Sequence, residues 1–132
     1  MKPVFADTYY LLALLNPRDE GHAAAIEIHA NSDRPMVTTA WVVVELLDAM
    51  SNPRRRARAA AFVRDLLDSE RVELIDAPGA FWSGVQLFER RRDKDWSLTD
   101  GISFVVMKSR GLREALTADH HFVQAGFGVL LK

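Results

Sequence analysis

The chain has 132 residues, 48% of them hydrophobic, and a formal net charge of −1. That length predicts one domain over residues 1–132, and that apolar content supplies a core and excludes a disordered chain. Near neutrality leaves no global field to gather nucleic acid, and the lack of cysteine excludes disulfides and thiolate metal sites.

The segment Met1 to Asp7 lacks the long apolar region of a signal peptide, and no apolar run approaches the roughly 20 residues of a membrane span. A cytoplasmic protein without membrane contact is the expectation. Pro3-Val4-Phe5-Ala6 reads as a first strand ended by Asp7. Thr8 can cap the apolar helix from Tyr9 to Leu15, which Asn16-Pro17 breaks. Asp7 is either a helix cap or a site carboxylate. A second helix carries His22, Ala25, Ile26 and His29, the histidines reading as ordinary surface residues because no partner motif accompanies them.

Pro35 to Thr38 reads as the second strand, and Thr39 as the cap of a strongly apolar helix from Ala40 to Met50. Glu45 lies in that helix among Trp41, Val42, Asp48 and Ala49. It either reaches out to water or is buried beside a cation or a proton, because burying an unpaired carboxylate is costly. Asn52-Pro53 is read as cap and first position of the next helix, with Ala61, Phe62, Leu66 and Leu67 toward the core. That helix carries Arg54, Arg55, Arg56 and Arg58. Val72 to Asp76 alternates and is β-branched, giving the third strand. Ala80 to Arg92 is read as a helix with Phe81, Val85 and Phe88 on its buried face, ending in Arg90, Arg91 and Arg92. The arginine clusters read first as solvated helix faces and, as the only basic patches, as candidate phosphate contacts.

Ser97 followed three residues later by Asp100 has the spacing of a capping box, with aspartate in place of glutamate. The helix it opens runs through Ile102, Val105, Val106 and Met107 to Gly111, a natural left-handed C′ residue. Glu114 to Ala118 is short enough for a strand, with Asp119 just past its end, and Val129-Leu130-Leu131 reads as a terminal strand. Strands alternating with helices predict an α/β fold, a mainly parallel sheet covered on both faces. Asp7 and Asp119 then lie at strand carboxyl ends, Asp100 at a helix start and Glu45 about two turns into a helix. These four acids would meet in one cleft.

Converging carboxylates repel unless a cation or protons intervene. Oxygen ligands without cysteine, and without a well-placed histidine, favour a hard ion such as Mg²⁺ or Mn²⁺. The chemistry that fits is metal-dependent phosphodiester hydrolysis. The sequence has no phosphate-binding loop of the Gly-x-x-x-x-Gly-Lys kind, no dinucleotide fingerprint and no Gly-x-Ser-x-Gly elbow.

Asp7-Thr8 after the first strand, Glu45 after the second, Ser97-Leu98-Thr99-Asp100, and Thr117-Ala118-Asp119-His120-His121-Phe122 together resemble the PIN domain. This family is named for the PilT N-terminus and includes the VapC-type toxins of toxin–antitoxin pairs. The resemblance covers nearly the whole chain and implies a three-layer α/β/α sandwich. It makes Asp7, Glu45, Asp100 and Asp119 the acidic quartet, with Asp7 and Asp100 as direct metal ligands and Thr8 and Ser97 as polar supports. It further implies single-stranded RNA as substrate, an antitoxin covering the cleft, and a homodimer. A catalytically silent module that binds RNA or protein, a stand-alone PIN nuclease without antitoxin, and a structure-specific DNA nuclease are the competing readings. Acids kept at all four positions favour the endoribonuclease.

Overall fold

The structure, a computed structural model, describes residues 2–131. The elements run β1 (Val4–Ala6), α1 (Thr8–Leu15), α2 (His22–Asn31), β2 (Met36–Thr39), α3 (Ala40–Ala49), α4 (Arg56–Asp68), β3 (Val72–Ile75), α5 (Pro78–Arg90), α6 (Leu98–Ser109), β4 (Glu114–Leu116), α7 (His120–Gln124) and β5 (Gly128–Val129). Five strands form one sheet in the order β3-β2-β1-β4-β5, and every pairing is parallel. The parallel arrangement follows from helical crossovers between successive strands. Right-handed crossovers send α1 to α4 over one face and α5 to α7 over the other, giving three layers. Among the described residues no helix is long and apolar enough to cross a membrane.

β1 is the central strand, and all three of its residues are buried. The chain steps from β1 through β2 to β3 in one direction, then returns to place β4 on the other side of β1. The order therefore reverses between β1 and β4, and a crevice opens beyond their carboxyl ends. Register fixes what faces it. Ala6 pairs with Leu116, so the next residues out, Asp7 and Thr117, arrive at the same level. On the other side the Thr38 hydroxyl donates to the Ala6 carbonyl at 2.8 Å, tying β2 to the same edge.

Local chemistry explains several helix ends. The Thr39 side chain accepts from the Val42 amide at 3.1 Å and caps α3. Gly111 adopts φ +67°, and the Leu112 amide donates to the Met107 carbonyl at 2.8 Å, closing α6 with a left-handed turn. α5 and α6 cross closely at glycines. A Cβ on Gly84 would lie 2.9 Å from the Ile102 Cα, and one on Gly101 would lie 3.2 Å from the Gly84 carbonyl oxygen. That approach seats the start of α6, and with it Asp100, against the sheet edge.

Several sequence expectations are corrected. α4 begins at Arg56, not Pro53, because the Asn52 side chain accepts from the Arg54 amide at 2.9 Å and holds residues 52–55 as a turn. Its buried residues are Ala59, Val63 and Leu66, while Ala61 is exposed. Phe88 of α5 is 52% exposed, since the close glycine crossing makes Gly84 the buried position of that helix. Thr8 is the first residue of α1 and does not cap it. A short helix, α7, follows Asp119 where none was expected, and β5 spans Gly128–Val129, earlier than the predicted terminal strand. His22 and His29 bind within the protein: His22 Nδ1 lies 2.7 Å from the Ala13 carbonyl and His29 Nδ1 lies 3.3 Å from the Tyr10 hydroxyl, fastening α2 to α1.

Candidate active site

Asp7 is the most buried acid of the group, with 6% of its surface exposed. It occupies the N-cap position of α1 without using its side chain as a cap. Instead the Thr117 hydroxyl donates to Asp7 Oδ2 at 2.8 Å, a bond that the β1–β4 register makes possible. Burial pushes the Asp7 carboxyl from 3.8 up to about 7. The Thr117 bond and the Thr8 backbone pull the other way, while the charges of Asp100 and Glu45 push it up further. Those two charges act on Asp7 only because the fold brings their elements to the same edge.

Asp100 lies in the first turn of α6 and is held by a reciprocal capping box. Its amide donates to Ser97 Oγ at 3.0 Å, and its Oδ2 accepts from the Ser97 amide at 3.2 Å. The same Oδ2 lies 3.0 Å from His121 Nδ1. The sequence reading gave His121 no role and found no well-placed histidine. The correction comes from α7, whose first turn carries His121 toward α6. The only advance signal was its place in the Thr117 to Phe122 segment.

Asp119 caps α7, its Oδ1 accepting from the His121 amide at 2.9 Å. Its own amide donates to Thr117 Oγ1 at 3.1 Å. Thr117 thus joins Asp7 to the Asp119 loop through one buried hydroxyl, a second residue that the sequence reading left without a role. Glu45 is exposed on α3 and stands at the margin of the crevice rather than in its floor. Ser97 is exposed, and the buried Thr8 hydroxyl meets no hydrogen-bond partner.

The donor chemistry suits a divalent cation. Among the described residues no lysine or arginine pairs with Asp7, Glu45, Asp100 or Asp119. The acids therefore face one another without a lysine or arginine, the nearest basic group being His121, whose Nδ1 lies 3.0 Å from Asp100 and 3.6 Å from Asp119. The unpartnered hydroxyl belongs to Thr8, the chain neighbour of the most buried acid. Among the described residues, no three of the four carboxylates have oxygens mutually within 4.8 Å; the group that meets this spacing is Asp119, His120 and His121. A hard ion that keeps part of its water shell suits carboxylates at such separations.

The arginine clusters differ from each other. Arg91 is committed to Asp93, with Nε 3.0 Å from Oδ1, and its guanidinium lies 4.9 Å from the Trp96 ring centroid. Arg90 is the last residue of α5, and Arg92 is exposed in the loop beyond. Arg54 and Arg55 lie in the turn before α4, and Arg56 opens that helix, all three exposed.

The sequence profile of the PIN domain matches residues 4–128. The chain is 30% identical over 128 residues to the 23S rRNA-specific endonuclease VapC20 of Mycobacterium tuberculosis, an alignment covering 94% of this chain and 95% of the relative. The crystal structure of Mycobacterium tuberculosis VapC20, described as a sarcin-ricin loop cleaving toxin, superposes with a TM-score of 0.87, at 24% identity over 98% of this chain and 99% of that one. DNA-bound VapBC from Salmonella typhimurium superposes with a TM-score of 0.69, at 18% identity and 98% coverage of each chain. FitAcB from Neisseria gonorrhoeae does so with a TM-score of 0.61, at 18% identity and 96% coverage of each. The fold, the profile match across almost the whole length and the full-length relative agree: the chain belongs to the PIN domain family.

Proposed function

We infer that this protein is a divalent-metal-dependent endoribonuclease that cleaves single-stranded RNA, and that it is the toxin of a toxin–antitoxin pair. The observation that carries this reading is the buried Asp7, raised to about 7 by burial and by the charges of Asp100 and Glu45, in a crevice where, among the described residues, no lysine or arginine pairs with these acids. Asp7 and Asp100 would hold Mg²⁺ or Mn²⁺, and Glu45 and Asp119 would orient water or bind a second ion. When bound, the ion supplies charge neutralisation at the phosphodiester and a more acidic water.

The chain's own groups do the positioning. Thr117 fixes the free direction of the Asp7 carboxylate by occupying Oδ2, and Ser97 fixes Asp100 from below. His121, at 3.0 Å from Asp100, restricts the rotamer of that side chain. Glu45, exposed at the margin, is accessible to substrate water. The relative named a 23S rRNA-specific endonuclease supports RNA as substrate and makes a ribosomal RNA loop the first target to try. The resemblance to VapBC and FitAB assemblies supports an antitoxin partner. A homodimer belongs to the same reading and is measured by sedimentation.

The test is cleavage of single-stranded RNA by the wild type and by Asp7→Asn, Asp100→Asn and Asp119→Asn. Asp7→Asn and Asp100→Asn abolish cleavage, and Asp119→Asn reduces it less. Because the acids act as one unit, a double variant is little worse than the worse single one. EDTA stops the wild type, and added Mg²⁺ or Mn²⁺ restores it. Cleavage that persists in EDTA, or in folded Asp100→Asn, refutes the assignment.

A further inference from the structure

A second charged feature lies away from the acids. Arg18, Arg54, Arg55 and Arg58 line one cavity of about 290 Å³, with Asn16 and Met50 among its other walls. It forms where the end of α1, the end of α3 and the turn before α4 meet. All four arginines are exposed, and among the described residues none has a carboxylate within ion-pair distance. Four unpaired guanidiniums around one hollow repel one another, an arrangement that an anion relieves. α4 starts without a side-chain cap, so its positive end adds to the same field.

We propose that this cavity binds a backbone phosphate of the RNA substrate, at a position displaced from the bond to be cut. The proposal rests on the ribonuclease reading and adds an anchor that none of the four acids provides. Its chemistry is that of a phosphate. Guanidiniums present planar donor forks that match phosphate oxygens in pairs. An acidic peptide segment fits less well, because a docking peptide needs apolar anchors. The apolar walls here, Leu15 and Met50, are already 5% exposed each and have little surface left to give.

The position suits a strand that also reaches the acids. α1 starts just after Asp7 and ends at the cavity, and its eight residues span about 12 Å. A strand lying along the exposed side of α3, where Val44, Glu45, Asp48 and Ala49 face solvent, would place one phosphate in the acidic crevice and another, a few nucleotides away, among the arginines. This division solves an electrostatic problem: a crevice of carboxylates repels a polyanion, and the chain as a whole is nearly neutral. Attraction has to come from a separate patch.

The experiment compares wild type with Arg18→Gln/Arg58→Gln and Arg54→Gln, and with Arg113→Gln, an exposed arginine just before β4, as a control outside the cavity and outside both arginine clusters. Binding of a labelled long single-stranded RNA is followed by fluorescence anisotropy in EDTA over a range of salt, and gels confirm that the strand stays intact. The cavity variants bind the long strand several-fold more weakly, and the slope of log K against log salt falls by about 0.7 for each phosphate that is no longer neutralised. In Mg²⁺ their kcat is kept while KM rises, and cleavage of an RNA too short to span both places is unchanged. Arg113→Gln behaves as wild type. Equal affinity and equal salt slope in the cavity variants and wild type overturn the proposal, even if the wild type cleaves RNA. Loss of poly-glutamate binding with RNA binding untouched also overturns it, making the cavity a docking place for an acidic protein. If the strand is cut in EDTA, the metal reading fails while a reduced salt slope still upholds the phosphate site. If the wild type binds no RNA, both readings fall.

Discussion

Replacing Asp7 with asparagine separates stability from catalysis and gives the energetics of the crevice a measurable sign. The carboxyl is raised from 3.8 to about 7, mainly by burial. The folded protein therefore holds this proton more tightly than the unfolded chain does. Asp7 costs no stability below pH 3.8; the cost grows as pH rises from 3.8 and is fully present above about 7. The difference corresponds to about 4 kcal/mol as an upper bound, which relaxation and entering water reduce to about 2–3 kcal/mol. Asparagine keeps an acceptor for the Thr117 hydroxyl but brings a buried amide N–H without an evident partner, at a cost of about 1 kcal/mol. Without metal, Asp7→Asn should then be less stable than wild type by about 1 kcal/mol near pH 4 and more stable by about 1–2 kcal/mol near pH 8. For a chain of this length that is a rise in Tm of about 3–8 °C on the alkaline side. The assay is thermal unfolding in EDTA at both pH values, with RNA cleavage in Mg²⁺ measured on the same samples. The variant should be dead in cleavage at both. A Tm difference of the same sign and size at both pH values would show that Asp7 is not a strained buried acid, and would remove the electrostatic reason for a cation at this position.

Added Mg²⁺ or Mn²⁺ should raise the Tm of wild type, with about 2.7 kcal/mol gained at a hundredfold excess over Kd, and much less in Asp100→Asn. An unchanged wild-type Tm in millimolar ion rules out tight binding. Thr117→Val removes the hydroxyl bonded to Asp7 and to the Asp119 amide. It should cost about 1–3 kcal/mol in chemical denaturation, raise the Asp7 pKa further and move the pH profile of cleavage to higher pH; an unshifted profile counts against Thr117 as the residue that positions Asp7. Gly84→Ala forces a Cβ to within 2.9 Å of the Ile102 Cα at the α5–α6 crossing. It should destabilise by about 1–3 kcal/mol and, by shifting the start of α6, lower cleavage as well, so a neutral Tm would show that the crossing is slack.

The sequence by itself determined most of the element types and singled out four acids as candidates. Alternating strands and amphipathic helices left little choice but a covered parallel sheet, and the Ser97–Asp100 spacing and Gly111 marked both ends of α6 through local hydrogen bonds and backbone conformation alone. Asp7, Glu45, Asp100 and Asp119 stood out because each lies where a strand ends or a helix begins, or among apolar neighbours. What only the tertiary structure decided was mutual placement. The Ala6–Leu116 register puts Thr117 on Asp7, a contact between residues 110 positions apart that no local pattern encodes. The five-residue α7 is too short to show a helical period in sequence, so His121 could not be directed to Asp100 before the fold was known. Phe88 fits a buried face by spacing, yet the glycine-to-glycine crossing of α5 and α6 turns it to solvent. The arginines near residue 54 read as one solvated run. Only the meeting of α1, α3 and the turn before α4 adds Arg18 and gathers it with Arg54, Arg55 and Arg58 around a single hollow, because the ends of separate helices converge in space and not in sequence.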